Sequence, residues 1–399
     1  MSRPRRGEYK KLKYPNDRMS LSLKKTLRVG FDARWYNDSG VGTYVAELLK
    51  AMAPLQQGFE LIVYEDPANP VPGLEHLPLQ RLPVRSGKYS VSGQLELARR
   101  QRRDRLDVFH SPFYVVPFLA GCPVVVTLHD LIPFVFDIDA WPKRSLVKMG
   151  YRAAALRSAH IITVSGHTAR DVQKILGAPA AKISVVHNAV SSLAFHSRSD
   201  AAELDYLQQK YGVRRPYVVA ASARNWRTKN LAIALQALAL AQEQSESTFQ
   251  TVIFGPEEGI QAMGGDDTAK CRHLNVLTTG YVAARELSMI FRHAELFIMP
   301  SLYEGFGLPV LEAMACGCAV ITSDAGSLAE VAGEGAQTFD ALDANGMAQA
   351  VVELLRNPHV LEKWQRLALR RAADFSWRKA AEETISIYHR VNMRKVDQT

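Results

Sequence analysis

The residues able to do chemistry gather at a few turns. The stretch LFIMPSLYEGFGLPVLEAMACGCAVITSD (296–324) sets two carboxylates, Glu304 and Glu312, eight positions apart in an otherwise apolar run. Burying an unpaired carboxylate is costly, so each is expected to have hydrogen-bond donors rather than merely to solvate a helix start. Gly305 and Gly307 alternate with Phe306 and Leu308 just ahead of a helical pattern. Glycine there permits left-handed or closely approached backbone, leaving the N–H groups of the helix start for an anionic group. Glu304 at a strand end and Glu312 about two turns later would reach two parts of one extended ligand. A nucleotide joined to a sugar through a diphosphate has that layout.

Three further turns carry candidates. In ASARNWRTKN (221–230), Arg224 offers a bidentate fork and Lys229 a mobile point charge, a suitable pair for a diphosphate, although surface charges would look the same. In FDARWYNDSGVGTYVAELL (31–49), Gly40, Val41 and Gly42 read as a flexible loop feeding a helix N-terminus, fit for a phosphate or an acceptor sugar. A tight strand-to-helix turn has the same need for glycine. TLHDLIPFVF (127–136) puts His129 and Asp130 at the end of a buried strand, where the histidine would donate to a sugar hydroxyl or satisfy a local partner. TVSGHTARD (163–171) reads as a helix start capped by Ser165, with Arg170 as a candidate to face the same crevice. No H-x-x-x-H spacing supports a metal, so none is expected.

These turns sit at the ends of β-branched runs that alternate with helical patterns from residue 27 onward. Continuous apolar strands between helices mean a parallel sheet covered on both faces, with ligands outside the carboxyl ends of its strands. A polar segment at 192–216 interrupts the rhythm, which then restarts. The fold class is therefore α/β with two Rossmann-like domains and a boundary near 195–215. A chain of 399 residues with 47% hydrophobic composition fits two cores.

Charge is uneven. Residues 1–28 hold ten Lys/Arg against Glu8 and Asp17, a net of +8 out of +9 for the whole chain, so the body is nearly neutral. A basic leader is either a solvated tail or a segment seeking an anionic membrane surface. A second basic stretch, 97–111, is expected on the polar face of a helix, with a membrane-facing patch as the alternative. Nothing in the neutral body interleaves aromatic and basic residues as single-stranded nucleic acid would require, so no nucleic-acid partner is expected. The four cysteines lack metal-site or disulfide-scaffold spacing, and the reading is a reducing, cytoplasmic setting. No apolar run is long enough to span a bilayer.

Taken together, the pieces resemble the retaining glycosyltransferases of the GT-B fold, family 4 type, in particular the bacterial polysaccharide mannosyltransferases. The likeness covers about 27–392. It rests on EGFGLPVLEAMACG, the HD pair, the Arg-to-Lys spacing, TGYV (279–282) and the terminal FSW…Y. One departure is Ala221, Ser222 and Ala223 where the family has a glycine-led turn. The resemblance implies a basic leader at 1–26, an acceptor-side domain at 27–200, a nucleotide-sugar donor domain at 210–375, and a helix at 376–392 packing back on the first domain. It implies that Arg224, Lys229 and the turn Gly305, Phe306, Gly307, Leu308 hold the donor diphosphate, and that Glu312 holds the ribose. Glu304 would contact the donor sugar, His129 would reach the sugar near the reaction centre, and the Gly40–Gly42 loop would close over it. Asp130 and Arg170 are further candidates.

The implied activity is hexosyl transfer with retention, mannose from GDP-mannose to a hydroxyl of a lipid-linked oligosaccharide or polysaccharide, without metal or cofactor, on the inner face of the plasma membrane. A UDP-hexose such as UDP-glucose as donor, a phosphorylase or epimerase, and a non-catalytic nucleotide-sugar binding protein stay open as alternatives.

Overall fold

The computed structural model describes residues 26–137, 140–223, 226–245, 248–261 and 274–396. Arg224 and the basic leader up to residue 25 lie outside the described residues.

The first half alternates β1 (Leu27–Asp32), α1 (Ser39–Met52), β2 (Phe59–Glu65), β3 (Gln80–Pro83), α2 (Val91–Arg103), β4 (Val108–Ser111), β5 (Val124–Leu128), α3 (Ile132–Val135), α4 (Lys143–Arg157), β6 (His160–Thr163), α5 (Gly166–Leu176) and β7 (Ile183–Val185). Its strands pair in parallel in the order β3-β2-β1-β4-β5-β6-β7. The central strands are apolar and buried residue after residue because helices cover both faces. Strand order reverses between β1 and β4, and at such a switch point the following loops diverge and leave a crevice at the carboxyl ends.

The second half repeats the scheme with α6 (Ala202–Tyr211), β8 (Tyr217–Ala221), α7 (Trp226–Lys229), α8 (Leu231–Gln244), β9 (Gln250–Phe254), α9 (Glu258–Gln261), β10 (Asn275–Gly280), α10 (Ala284–His293), β11 (Leu296–Met299), α11 (Leu308–Ala315), β12 (Ala319–Ser323), α12 (Leu328–Ala332), β13 (Gln337–Phe339), α13 (Ala344–Arg356) and α14 (Pro358–Ala372). The sheet runs β10-β9-β8-β11-β12-β13, all parallel, with its switch point between β8 and β11. Helix α6 sides with this half: Glu203 pairs with Arg292 at 2.7 Å, and Leu207 packs into the core around Phe291 and Phe297.

The chain finally returns to the first half. Helix α15 (Trp377–Val396) lies along α1, burying Trp377, Ile387 and Tyr388 in the core that contains Phe31, Trp35 and Tyr44. Its Tyr388 hydroxyl reaches Nδ1 of the buried His110, whose Nε2 bonds the Thr127 hydroxyl at 2.8 Å. Thr127 in turn bonds the Tyr44 hydroxyl at 2.9 Å, and the Tyr44 ring stands edge-on to His129, 4.8 Å between centroids. A line of satisfied polar groups thus ties the last helix to the wall of the crevice.

Candidate active site

The two switch points face each other across a cleft of about 430 Å³. The first half contributes Asp38, Gly40, Val41 and Thr43 after β1, His129 and Asp130 after β5, Val164 after β6 and Asn188 after β7. The second half contributes Lys229 after β8 and the run Glu304 to Glu312 after β11. Each of these follows the carboxyl end of a parallel strand, as the sheet topology requires of a ligand site.

The halves touch closely at the floor. Gly305 must lack a side chain, because a Cβ there would lie 2.1 Å from the His129 carbonyl oxygen. The Thr168 hydroxyl sits between the carbonyls of His129 and Gly305, at 3.2 and 3.3 Å. Tyr303 donates to Asp171 at 2.6 Å and accepts from the Leu131 N–H at 3.3 Å. From the second half, Glu330 accepts both from the Gly166 N–H at 2.9 Å, at the start of α5, and from His187 at 2.7 Å. A carboxylate at a helix N-terminus complements the helix dipole, so this contact latches the halves electrostatically.

Lys229 and Glu304 form an ion pair of 2.6 Å with both side chains mostly buried. Glu304 therefore has the donor that its apolar surroundings demanded. Glu312 differs from expectation: among the described residues no donor bonds its carboxylate. Burial pushes its pKa up to about 7, against the pull of Lys229. It answers the cost of burial by holding a proton more tightly rather than by pairing. Asp130 behaves similarly: burial, reinforced by the charge of Glu304, raises it to about 6, while the Ile132 N–H and Lys229 pull the other way. Both carboxylates border the open cleft yet have protein on most sides.

His129 donates from Nε2 to the Pro112 carbonyl at 2.9 Å, since a carbonyl can only accept. Burial depresses its pKa to about 4, with the Pro112 contact opposing, so the ring is neutral at neutral pH. Nδ1 is then a lone-pair acceptor. The histidine thus satisfies a local partner, one of its two expected roles, and a hydroxyl would donate to its Nδ1.

Helix α11 begins at Leu308 behind Gly307, whose φ of +93° lies in the left-handed region. Pro309 in its first turn has no N–H to leave unpaired, and the N–H groups of Val310 and Leu311 close on the Gly307 carbonyl at 3.0 and 3.3 Å, which leaves the Leu308 N–H at the helix start. The Ala221–Ala223 turn is held by the Ser222 hydroxyl donating to Pro256 at 2.8 Å, a side-chain substitute for a glycine-led bend.

Two expected residues stand apart. Gly40 and Val41 line the cleft, but α1 already begins at Ser39, so they form its first turn rather than a loop before it. Gly42 is structural: a Cβ there would lie 1.9 Å from the Tyr36 carbonyl oxygen. Arg170 is exposed on α5 and is absent from the cleft lining. Conversely, Asp38, Thr43 and Asn188 line the cleft without having been singled out. Asn188 is buried with its side-chain oxygen unpaired among the described residues. The available signal was its place, a polar residue just past a strand end.

Two parallel-sheet domains with facing switch points and a returning C-terminal helix define the GT-B class of glycosyltransferase. Residues 39–192 match the family model described as Glycosyltransferase Family 4, and residues 215–357 match Glycosyl transferases group 1. The chain thus carries two glycosyltransferase domains, one matching each of these families. It is 27% identical over 381 residues to the O-antigen chain mannosyltransferase B of Escherichia coli, covering 88% of this chain and 96% of that one. It is also 27% identical over 293 residues to the MMP alpha-(1->4)-mannosyltransferase of Mycolicibacterium hassiacum, covering 69% and 67%. Anabaena HepE, solved in complex with UDP and glucose, superposes with a TM-score of 0.71 at 17% identity over 90% of this chain and 99% of that one, a likeness of fold.

Proposed function

We propose that the protein transfers mannose from GDP-mannose, with retention, to a hydroxyl of a lipid-linked oligosaccharide or polysaccharide, without a metal. The observation that carries this reading is the opposition of Lys229, Glu304 and Glu312 on one wall to Asp38, His129 and Asp130 on the other. The mannosyltransferases among the relatives favour the sugar.

In this reading Lys229 and the N-terminus of α11 receive the diphosphate and stabilise charge as it leaves. Glu312 accepts from the ribose, Glu304 from sugar hydroxyls, and His129 Nδ1 from a hydroxyl near the anomeric carbon. A double displacement would need a carboxylate beneath that carbon, and Asp130 is the candidate on the first wall. A same-face substitution instead lets the departing phosphate oxygen take the acceptor proton, leaving Asp130 as an electrostatic neighbour of the cationic centre.

Saturation-transfer NMR with GDP-mannose, UDP-glucose, UDP-galactose and UDP-N-acetylglucosamine in competition tests the donor. GDP-mannose should win in the wild type and lose at least about tenfold in affinity with Lys229→Ala, the scale of one lost charge-assisted contact. A UDP-sugar winning would overturn the donor. Binding without hydrolysis or transfer would leave a nucleotide-sugar binding protein.

A further inference from the structure

Helix α4 turns its apolar stripe away from the protein. Its buried side is Tyr151, Ala154 and Ala155, and Tyr151 stacks on Tyr114 at 4.3 Å. On the opposite side Leu146, Met149 and Leu156 are 62%, 59% and 81% exposed, and Trp141 just ahead of the helix is 80% exposed. At 100° per residue, Leu146, Met149, Ala153 and Leu156 share a face roughly 80° wide. Lys148, Arg152 and Arg157 flank it on the same helix, which has no carboxylate, while Arg144 is ion-paired with Asp137. Beside its end the exposed Phe118 and Leu119 border a second cavity of about 390 Å³ that Arg102 and Arg157 also line. Each guanidinium gives one bond to a loop carbonyl, Arg157 to Phe118 at 3.0 Å and Arg102 to Leu119 at 3.4 Å, and keeps further donors.

We propose that this face docks on an anionic phospholipid bilayer, with the apolar stripe at the headgroup boundary and lipid phosphates on the flanking cations. An amphipathic helix with cations beside leucine and tryptophan lies in the plane of such an interface. A second copy of the chain is disfavoured, because a symmetric pairing would set these cations against their own kind. The stripe extends along about 15 Å of helix, suiting a flat apolar layer better than a small ligand. Docking stands independently of the donor and of the reaction proposed above.

The test uses the full chain with phosphatidylcholine vesicles made with and without phosphatidylglycerol, in the absence of nucleotide sugar. Co-sedimentation should require phosphatidylglycerol and weaken with salt. Leu146→Ser/Met149→Ser/Leu156→Ser should lower partitioning at least about tenfold. Lys148→Gln/Arg152→Gln should lower it about 25-fold, near fivefold for each cation at a charged surface. Both variants should melt as the wild type does, and hydrogen exchange in 141–157 should slow on adding vesicles. Unchanged partitioning of the triple variant, with protection confined to the basic leader, would overturn the proposal. So would a wild-type dimer that the triple variant dissolves, since the stripe would then face a second copy.

Discussion

Replacing Glu312 by Gln should stabilise the free protein at alkaline pH, although it removes the group proposed to hold the ribose. The carboxyl rises from 4.5 to about 7 through burial, against the pull of Lys229. A group whose folded value exceeds its unfolded value takes up a proton on folding, so its stabilisation is complete below the unfolded value and declines as pH climbs through the folded one. The whole shift corresponds to about 3.4 kcal/mol at 1.36 kcal/mol per pH unit. Water in the cleft screens part of it, and about 2 kcal/mol is the working figure. The variant should therefore match the wild type near pH 4 and exceed it by about 2 kcal/mol near pH 8, the gap opening between the two values. For a domain of this size that is about 4 to 8 °C in melting temperature. Differential scanning calorimetry of both proteins across that range reads it directly. A gap independent of pH, or a variant less stable at pH 8, would refute the account of Glu312 as a desolvated and unpaired acid.

Three other substitutions probe the same floor. Gly305→Ala puts a methyl 2.1 Å from the His129 carbonyl oxygen, so the halves must separate; small-angle scattering should show a larger radius of gyration with both domains still folded, and an unchanged radius would contradict the close approach. Asp130, raised to about 6, should govern the acidic limb of the pH–rate profile, whereas His129 near 4 should not; the limb should vanish in Asp130→Asn and persist in His129→Asn, and the reverse pattern would exchange their roles.

The sheets were legible because buried parallel strands read as unbroken apolar runs, such as VVVTL at β5 and LFIM at β11. Glu304, Lys229 and His129 were legible because sheet topology puts ligands past strand ends, and each lies in the segment that follows one. Distances across the cleft were not. Whether Glu312 finds a donor depends on side chains brought in from other elements, and Asn188 is a lone polar residue in a loop whose spacing repeats nothing. Gly42 shows the limit from the other side: a glycine beside a helix start is required as much by the Tyr36 carbonyl pressing on it as by any ligand.

The charge balance of the cleft constrains how a donor enters. Among its described lining residues Lys229 is the one cation, facing Asp38, Asp130, Glu304 and Glu312. In the free protein the ammonium is bound to Glu304. In the function proposed above, the donor diphosphate would compete for that same ammonium, and whatever it drew away would leave Glu304 with open lone pairs for the hydroxyls of the sugar. The exchange couples the two ends of the ligand: a nucleotide without its sugar would free Glu304 and give it no hydroxyl to accept from, leaving a buried carboxylate uncompensated. Glu312 and Asp130, already raised toward neutrality by burial, would then take up protons as the diphosphate adds its charge, unless ribose hydroxyls donate to Glu312 and hold it ionised. In that proposal the acids that make the free cleft costly would be the groups that favour the complete donor over its fragments.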